Sequence, residues 1–334
     1  MNILVLKDDK PGHYNQTEGL LIYLKEIFED LEVEYIEIEI KSKLTRKLLK
    51  ILLNTFPMFF REKSIKYLSF FYKKYSIPKN KPDLIISTGG NTANLNVWFS
   101  KIYKCKNILN GALRGLREEL FTHITTVIDL GYKNQIILDV APSVITKEKL
   151  KESGIEFIKN KKLSINDKYY TLLIGGDGAG YNYDNKFYNN LIEFVKNISI
   201  KKNIKWLITT SRRTPLDIER EMKEKLKDYC AYFVDYNKNP EKVMSSFLSL
   251  SEKVFVTEDS SSMISEAILS EKDVFTIGII NNKSDNNYKK ILDKFVKSGY
   301  IIRSEMNNKF NFELLDEKTN SYKYKNFLKD KFAK

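Results

Sequence analysis

The chain reads as an α/β protein of two Rossmann-like, doubly wound domains, and three observations carry that reading. Short apolar runs of strand length recur in both halves, separated by segments of helix length, the alternation that produces parallel sheets. Loops rich in glycine and hydroxyl residues follow several of those runs, where open α/β sheets bind ligands. The 334 residues, 42% hydrophobic and 30% charged, are enough for two separate cores. We place the domains at 1–150 and 151–334, with the Lys-rich segment Thr146–Asn166 as their connection. A ligand cleft is expected between the carboxyl ends of the two sheets.

Taken in order, Ile3–Lys7 is a buried strand and about Gln16 to Phe28 a helix, with Asn15 and Glu18 at capping-box spacing. Val33–Ile40 alternates apolar and acidic residues and predicts an edge or half-exposed strand. A basic helical stretch follows and is interrupted at Pro57. Strands are expected at Asp83–Ser87, Asn107–Leu109, Thr125–Leu130 and Gln135–Val140. The second half restarts with a strand at Tyr170–Ile174 and a helix near Lys186–Ile198. Lys205–Thr209 is a strand, a helix follows Pro215, and Ala231–Val234 is a strand. Pro240–Leu250 predicts a helix, Val254–Thr257 a strand, Ser260–Ser270 a helix and Val274–Ile279 a strand.

Composition removes several functional classes. The sequence shows neither a signal-peptide layout nor an apolar run long enough to span a bilayer, so a cytoplasmic protein is expected. Two cysteines and two histidines provide neither a disulfide framework nor a His-rich metal centre. The net charge of +13 calls for a polyanionic partner, but no signature of specific nucleic-acid recognition is present. Much of the excess sits in Lys41–Lys81, where Lys41, Lys43, Arg46, Lys47, Lys50, Arg61, Lys63, Lys66, Lys73 and Lys74 interleave with apolar residues. Those include Leu48, Leu49, Leu52, Phe56, Phe59, Phe60, Leu68, Phe70 and Phe71. This pattern fits peripheral contact with an anionic membrane surface, on the inner face of the cell membrane. The competing reading makes the apolar groups core and the lysines a solvated face.

The candidate chemistry falls at strand carboxyl ends. Gly12 and His13 lie in the loop after the first strand, where an imidazole suits proton removal at neutral pH. Thr88, Gly89, Gly90 and Asn91 form a loop open to a ligand. Gly175, Gly176, Gly178 and Gly180 make a glycine loop that matches neither the Walker A nor the dinucleotide fingerprint, but its amides suit a diphosphate. Ser211, Arg212 and Arg213 stand before a helix, with guanidinium groups suited to phosphate oxygens. Asp259, Ser260, Ser261, Ser262 and Met263 open another helix, with Ser260 expected as its hydroxyl cap. Glu266 follows one turn after Ser262, at a spacing that suits ribose hydroxyls.

These residues also carry a resemblance. Asp9-Lys10-Pro11-Gly12-His13…Gln16…Gly19-Leu20, Leu173-Ile174-Gly175-Gly176, Thr210-Ser211-Arg212-Arg213-Thr214-Pro215, Asn239-Pro240 and Val256-Thr257-Glu258-Asp259-Ser260…Ser262-Met263…Ser265-Glu266-Ala267 resemble the motif series of the ELM1-like glycosyltransferase family, in the same order and over most of the chain. The layout is also similar to GT-B glycosyltransferases of the MurG kind. Ala112–Ile128 matches none of the family's blocks. The resemblance implies a GT-B fold, with Glu266 on the donor ribose and Ser260–Met263 and Gly176–Gly180 near the diphosphate and sugar. It makes His13 the candidate base on the acceptor side. The expected reaction is metal-independent, inverting transfer from a nucleotide-sugar substrate to a saccharide or lipid-linked acceptor of the cell envelope, with no cofactor. A nucleotide-sugar hydrolase or epimerase of the same fold, and a membrane-bound scaffold without enzymatic activity, are the alternatives.

Overall fold

The computed structural model describes residues 1–306 and 315–332. The chain forms two compact units, Met1–Val144 together with Lys325–Lys334, and Ile145–Tyr324. The expected boundaries differ from this in two respects: the first unit ends at Val144, and the last residues of the chain return to it.

The first unit contains β1 (Asn2–Lys7), α1 (Pro11–Lys25), β2 (Glu32–Glu37), β3 (Glu39–Ile40), α2 (Lys43–Thr55), α3 (Leu68–Phe71) and β4 (Tyr72–Lys74). It continues with β5 (Leu84–Thr88), α4 (Gly90–Tyr103), β6 (Lys106–Asn110), β7 (His123–Thr126) and β8 (Gln135–Ile137). Six strands make a parallel sheet in the order β2-β1-β5-β6-β7-β8, and β3 pairs with β4 in a small antiparallel ribbon. Successive side chains of a strand point to opposite faces, so β1 serves two cores. Ile3 and Val5 pack with Leu20 and Leu24 of α1 and with Leu328 of the returning C-terminal segment. Leu4 and Leu6 share the other core with Leu49 and Leu53 of α2 and Trp98 of α4. Helices on both faces explain why these strands are apolar on both sides.

The second unit contains α5 (Lys147–Lys161), β9 (Tyr169–Leu173), α6 (Asn185–Lys202), β10 (Lys205–Thr209), α7 (Leu216–Lys225), β11 (Cys230–Val234) and α8 (Met244–Leu250). It continues with β12 (Ser251–Thr257), α9 (Ser261–Leu269), β13 (Asp273–Gly278), α10 (Asn286–Lys297) and β14 (Ile302–Glu305). Its parallel sheet runs β11-β10-β9-β12-β13-β14. Leu172, Trp206 and Phe255 pack under α6 and α7, while Tyr169 and Leu207 pack with Phe157 of α5 and Phe247 of α8. A last helix, α11 (Lys329–Phe332), lies in the segment that returns to the first unit.

Two local expectations are corrected. Thr146–Asn166 is mostly helix α5 rather than a connection: the Thr146 hydroxyl accepts from Lys149 N at 3.2 Å, and Leu150, Gly154 and Phe157 make a buried stripe. Its lysines lie on the opposite, solvated face, and their number hides the stripe in the sequence. The first helix begins at Pro11 rather than near Gln16, because proline's fixed φ suits a first helical turn, so Asn15 and Glu18 lie inside α1 and form no capping box.

Candidate functional site

In each sheet the chain leaves one central strand toward one edge and later returns on that strand's other side. Such a reversal of strand order opens a crevice at the carboxyl ends of the two neighbours. The reversal lies between β1 and β5 in the first unit and between β9 and β12 in the second. The candidate residues gather at these two places.

In the first unit, the loop after β1 delivers Asp8 and the start of α1 delivers His13. Both carboxylate oxygens of Asp8 lie 3.1 Å from His13 Nδ1. The Asp8 side chain is 1% exposed and that of His13 29%. Burial raises the Asp8 carboxyl, but the hydrogen bond and charge of His13 outweigh it and hold the group below its ordinary range. An ionised carboxylate only accepts, so Nδ1 carries the proton and Nε2 is left as the basic nitrogen. Asp8 also accepts from Lys10 N at 3.2 Å and from Asn91 Nδ2 at 3.3 Å, and Asn91 Oδ1 accepts from Arg46 Nη1 at 3.0 Å.

Gly89 stands at the N-terminus of α4 with φ +91°, and the His13 ring occupies the space a side chain there would need. The expected open loop is therefore filled by His13, and Gly89 is small for that reason as well as for its backbone. The Thr88 hydroxyl points inward, accepting from Thr17 Oγ1 at 2.8 Å and Asn110 Nδ2 at 3.4 Å. Gly12 is half-buried in the first turn of α1, and Gly90 faces the Arg114 side chain.

The second unit brings Gly175, Gly176, Ser211, Arg213 and Asp259 together. Gly176 has φ +102° and bridges Arg213 in parallel. Ser211 Oγ donates to Gly175 O, and Arg213 N donates back to Ser211 Oγ at 3.1 Å. Asn237 Nδ2 ties the same turn by donating to Ser211 O at 3.2 Å and Thr214 O at 2.9 Å. Asp259 is fully buried; it pairs with Arg213 and accepts from Thr257 Oγ1 at 2.6 Å. Burial pushes its carboxyl up to about 6, against the opposing pull of Thr257 and Arg213.

The glycine loop is thus not a fully open cradle. The Gly175 amide donates to Thr257 Oγ1 at 2.8 Å, the Gly178 amide to Tyr181 O at 3.1 Å, and Gly180 packs on the backbone of Lys283 and Ser284. Arg213 has its charge matched by Asp259, whereas Arg212 is exposed and has no ion-pair partner among the described residues. Ser260 stands at the N-cap of α9, but its hydroxyl makes no capping bond and meets Ser262 Oγ at 3.3 Å instead. Ser261, Ser262 and Met263 are half-buried in the first turn, and Glu266 is buried in the second.

Three features escaped the sequence reading. Asp8 was legible only as the first carboxylate after β1, with a histidine five residues on. Arg46 reads as one more lysine-like charge in a basic stretch. Glu258 is the least visible: it accepts from Arg303 Nε at 2.7 Å and Nη2 at 2.9 Å, Tyr181 OH at 2.8 Å and Thr276 Oγ1 at 2.9 Å. This knot fixes the loop after β12 to its neighbours, and its partners lie far apart in the chain.

The chain belongs to the mitochondrial fission ELM1 family, whose sequence profile matches residues 11–327. No curated protein matches it. Among solved structures it is similar to a UDP-GlcNAc 2-epimerase from Methanocaldococcus jannaschii, with a TM-score of 0.56 at 13% identity over 92% of this chain and 89% of that one. A UDP-GlcNAc 2-epimerase from Neisseria meningitidis bound to UDP-GlcNAc gives 0.52 at 12% identity, covering 92% and 88%. MurG from Acinetobacter baumannii gives 0.51 at 10% identity, covering 92% and 86%. The fold is GT-B.

Proposed function

We propose that this member of the mitochondrial fission ELM1 family is a glycosyltransferase that moves a sugar from a nucleotide-sugar to an acceptor hydroxyl, without a metal ion. The observation that supports this most is the Asp8–His13 pair at the strand reversal of the first sheet, because it leaves Nε2 free to take a proton. In the proposed step Nε2 removes the acceptor proton as the hydroxyl oxygen attacks the anomeric carbon. The bond from that carbon to the diphosphate breaks, and its electron pair leaves on the nucleotide. Direct displacement inverts the anomeric centre. Arg212 and the amides at the start of α9 are suited to the negative charge that develops there, and Glu266 is suited to the donor ribose.

We place the acceptor at an anionic membrane surface, as a saccharide or lipid-linked saccharide, with the protein bound peripherally from the cytoplasmic side. Leu44, Leu48 and Ile51 support this, since they form a solvent-exposed apolar stripe on α2 beside Lys43 and Lys47. Leu49, Phe60, Leu68 and Phe71 of the same region are core, and Lys73 and Lys74 pair with Glu39 and Glu37, so only part of the stretch is available for contact.

The test is a binding titration with UDP, GDP, ADP, CMP and their common sugars, on the parent chain and on Glu266→Ala. Micromolar binding of one nucleotide, weakened at least tenfold in the variant, is the expected result; no binding by any of them overturns the transferase reading. The similarity to two UDP-GlcNAc 2-epimerases favours one second reading, turnover of the nucleotide-sugar itself. Incubation with the bound nucleotide-sugar and no acceptor separates the two: an epimer or free sugar supports turnover, and product that forms only with acceptor supports transfer.

A further inference from the structure

Helix α2 has three distinct faces. Leu49 and Leu53 are buried in the core, and Leu44, Leu48 and Ile51 are exposed. The third face carries Arg46, Lys50 and Asn54, four residues apart and so aligned along the helix. Arg46 reaches the first turn of α4, and Lys50 and Asn54 reach the loop that follows β6. Arg46 Nη1 donates to Asn91 Oδ1 at 3.0 Å, Lys50 Nζ to Arg114 O at 3.2 Å, and Asn54 Nδ2 to Gly115 O at 2.8 Å.

These bonds hold an unusual turn. Arg114 has φ +53° and Gly115 φ +87°, and the buried Leu113 and Leu116 anchor the turn on either side. The Arg114 stem lies across Gly90: a Cβ on that glycine would stand 3.5 Å from Arg114 Cγ. Gly90 precedes Asn91, which bonds to both Asp8 and Arg46. Arg46, Lys50 and Arg114 therefore converge beside the His13 pair from two different elements.

None of the three has a carboxylate partner among the described residues. The one carboxylate bonded into this network, Asp8, is buried and engaged by His13. Lys50 spends one of its three donors and Arg46 bonds Asn91 through one of its two terminal nitrogens, so each keeps N–H groups for a ligand. Arg46 and Lys50 are each held by a hydrogen bond and the Arg114 stem rests on Gly90, with the backbone of the turn pinned beneath them.

We propose that Arg46, Lys50 and Arg114 form an anion subsite that takes a phosphate group carried by the acceptor, next to the hydroxyl that His13 deprotonates. The proposal deepens the reading of the His13 side as the acceptor side and rests on it. Two guanidinium groups and an ammonium group suit the three free oxygens of a phosphate monoester or the oxygens of a diphosphate. The same chemistry is offered by a free sugar phosphate and by the headgroup of a lipid phosphate.

The experiment uses the two histidines of the chain as reporters. The protein is labelled with 13C-histidine, and the imidazole signals of His13 and His123 are followed by NMR. The probes are inorganic pyrophosphate, a hexose 1-phosphate, and dihexanoylphosphatidic acid below its micelle concentration. We expect a saturable shift of the His13 signal while His123 stays still. Arg46→Gln and Arg114→Gln should each weaken that response about tenfold or more, the effect of losing one charge-assisted bond. Arg114 is exposed, so its variant keeps the test usable if Arg46→Gln does not fold.

Tighter binding of the hexose phosphate assigns the subsite to a free sugar phosphate, and tighter binding of phosphatidic acid assigns it to a lipid. A His13 signal that stays still with all three probes overturns the proposal, as does a response that neither variant weakens. Because the readout is binding, a phosphate response without any sugar transfer would leave the subsite standing and remove only the transferase reading. Transfer without a phosphate response would do the reverse.

Discussion

Gly89→Ala tests the geometry of the His13 pair most directly. Gly89 has φ +91° and ψ 164°, a region open to almost no residue but glycine. Forcing alanine into it costs about 1–3 kcal/mol. A Cβ there would also stand 2.3 Å from His13 Cε1 and 2.4 Å from Nδ1. Ordinary carbon contacts begin near 3.5 Å, so the ring must retreat by about 1.2 Å. The Nδ1 contact with Asp8, now 3.1 Å, would then pass the hydrogen-bond limit. Losing a charge-assisted bond at a partly exposed imidazole adds about 1–2 kcal/mol, giving about 2–5 kcal/mol in all. A 1 Å displacement of a catalytic base slows turnover by about a hundredfold.

Urea unfolding of four proteins measures this: the parent, Gly89→Ala, His13→Ala and the double variant. In the His13→Ala background the alanine should cost only its backbone share, so the two substitutions should couple by about 1–2 kcal/mol. Equal costs in both backgrounds would refute the claim that the ring fills the space over Gly89. A Gly89→Ala protein of parental stability and activity would refute the whole argument.

Other expectations follow from the second unit and from α2. Glu258→Gln takes the buried carboxylate from the partly exposed Arg303 and should lower stability by about 1–3 kcal/mol, read from the denaturant midpoint at constant slope. Asp259 has its carboxyl raised from 3.8 to about 6 in the folded chain, chiefly by burial. The fold therefore binds this proton more tightly than the unfolded chain. The resulting stabilisation is complete below pH 3.8 and is lost as pH rises through 6, a change of about 3 kcal/mol. Asp259→Asn should flatten the stability profile between pH 4 and 6, and an unaltered slope would assign it to other groups. Replacing Leu44, Leu48 and Ile51 together by serine should reduce co-sedimentation with anionic vesicles by about tenfold or more, with little change in unfolding midpoint because all three are exposed. Undiminished vesicle binding would remove α2 from the membrane reading.

The periodic elements and the loops that carry polar groups are legible in the chain's local pattern. Strand Lys205–Thr209 and the helix after Pro215 are both found where the local pattern puts them. Apolar period and the proline at the start of a helix act over a few residues, so they survive in a linear reading. The same locality explains the misreadings. The lysines of α5 outnumber its buried stripe, and Asn15 and Glu18 satisfy a spacing rule inside a helix that had already begun at Pro11. A pattern ending at Ile279 omits α10 and β14, whose exposed charged faces dilute their buried residues.

Which loops become neighbours is set by the fold. Strand order sets β5 beside β1 and β12 beside β9, so residues remote in the chain meet at the two reversals. Asp8 acquires His13, Asn91 and, through Asn91, Arg46 in this way, and Glu258 acquires Arg303. Whether a charge in Lys41–Lys74 faces solvent, core or site depends on the rotation of α2 against α4 and the β6 loop. Hydrogen bonds and ion pairs reach only about 3 Å, so such partnerships are fixed by packing across the fold, and no spacing in the sequence records them.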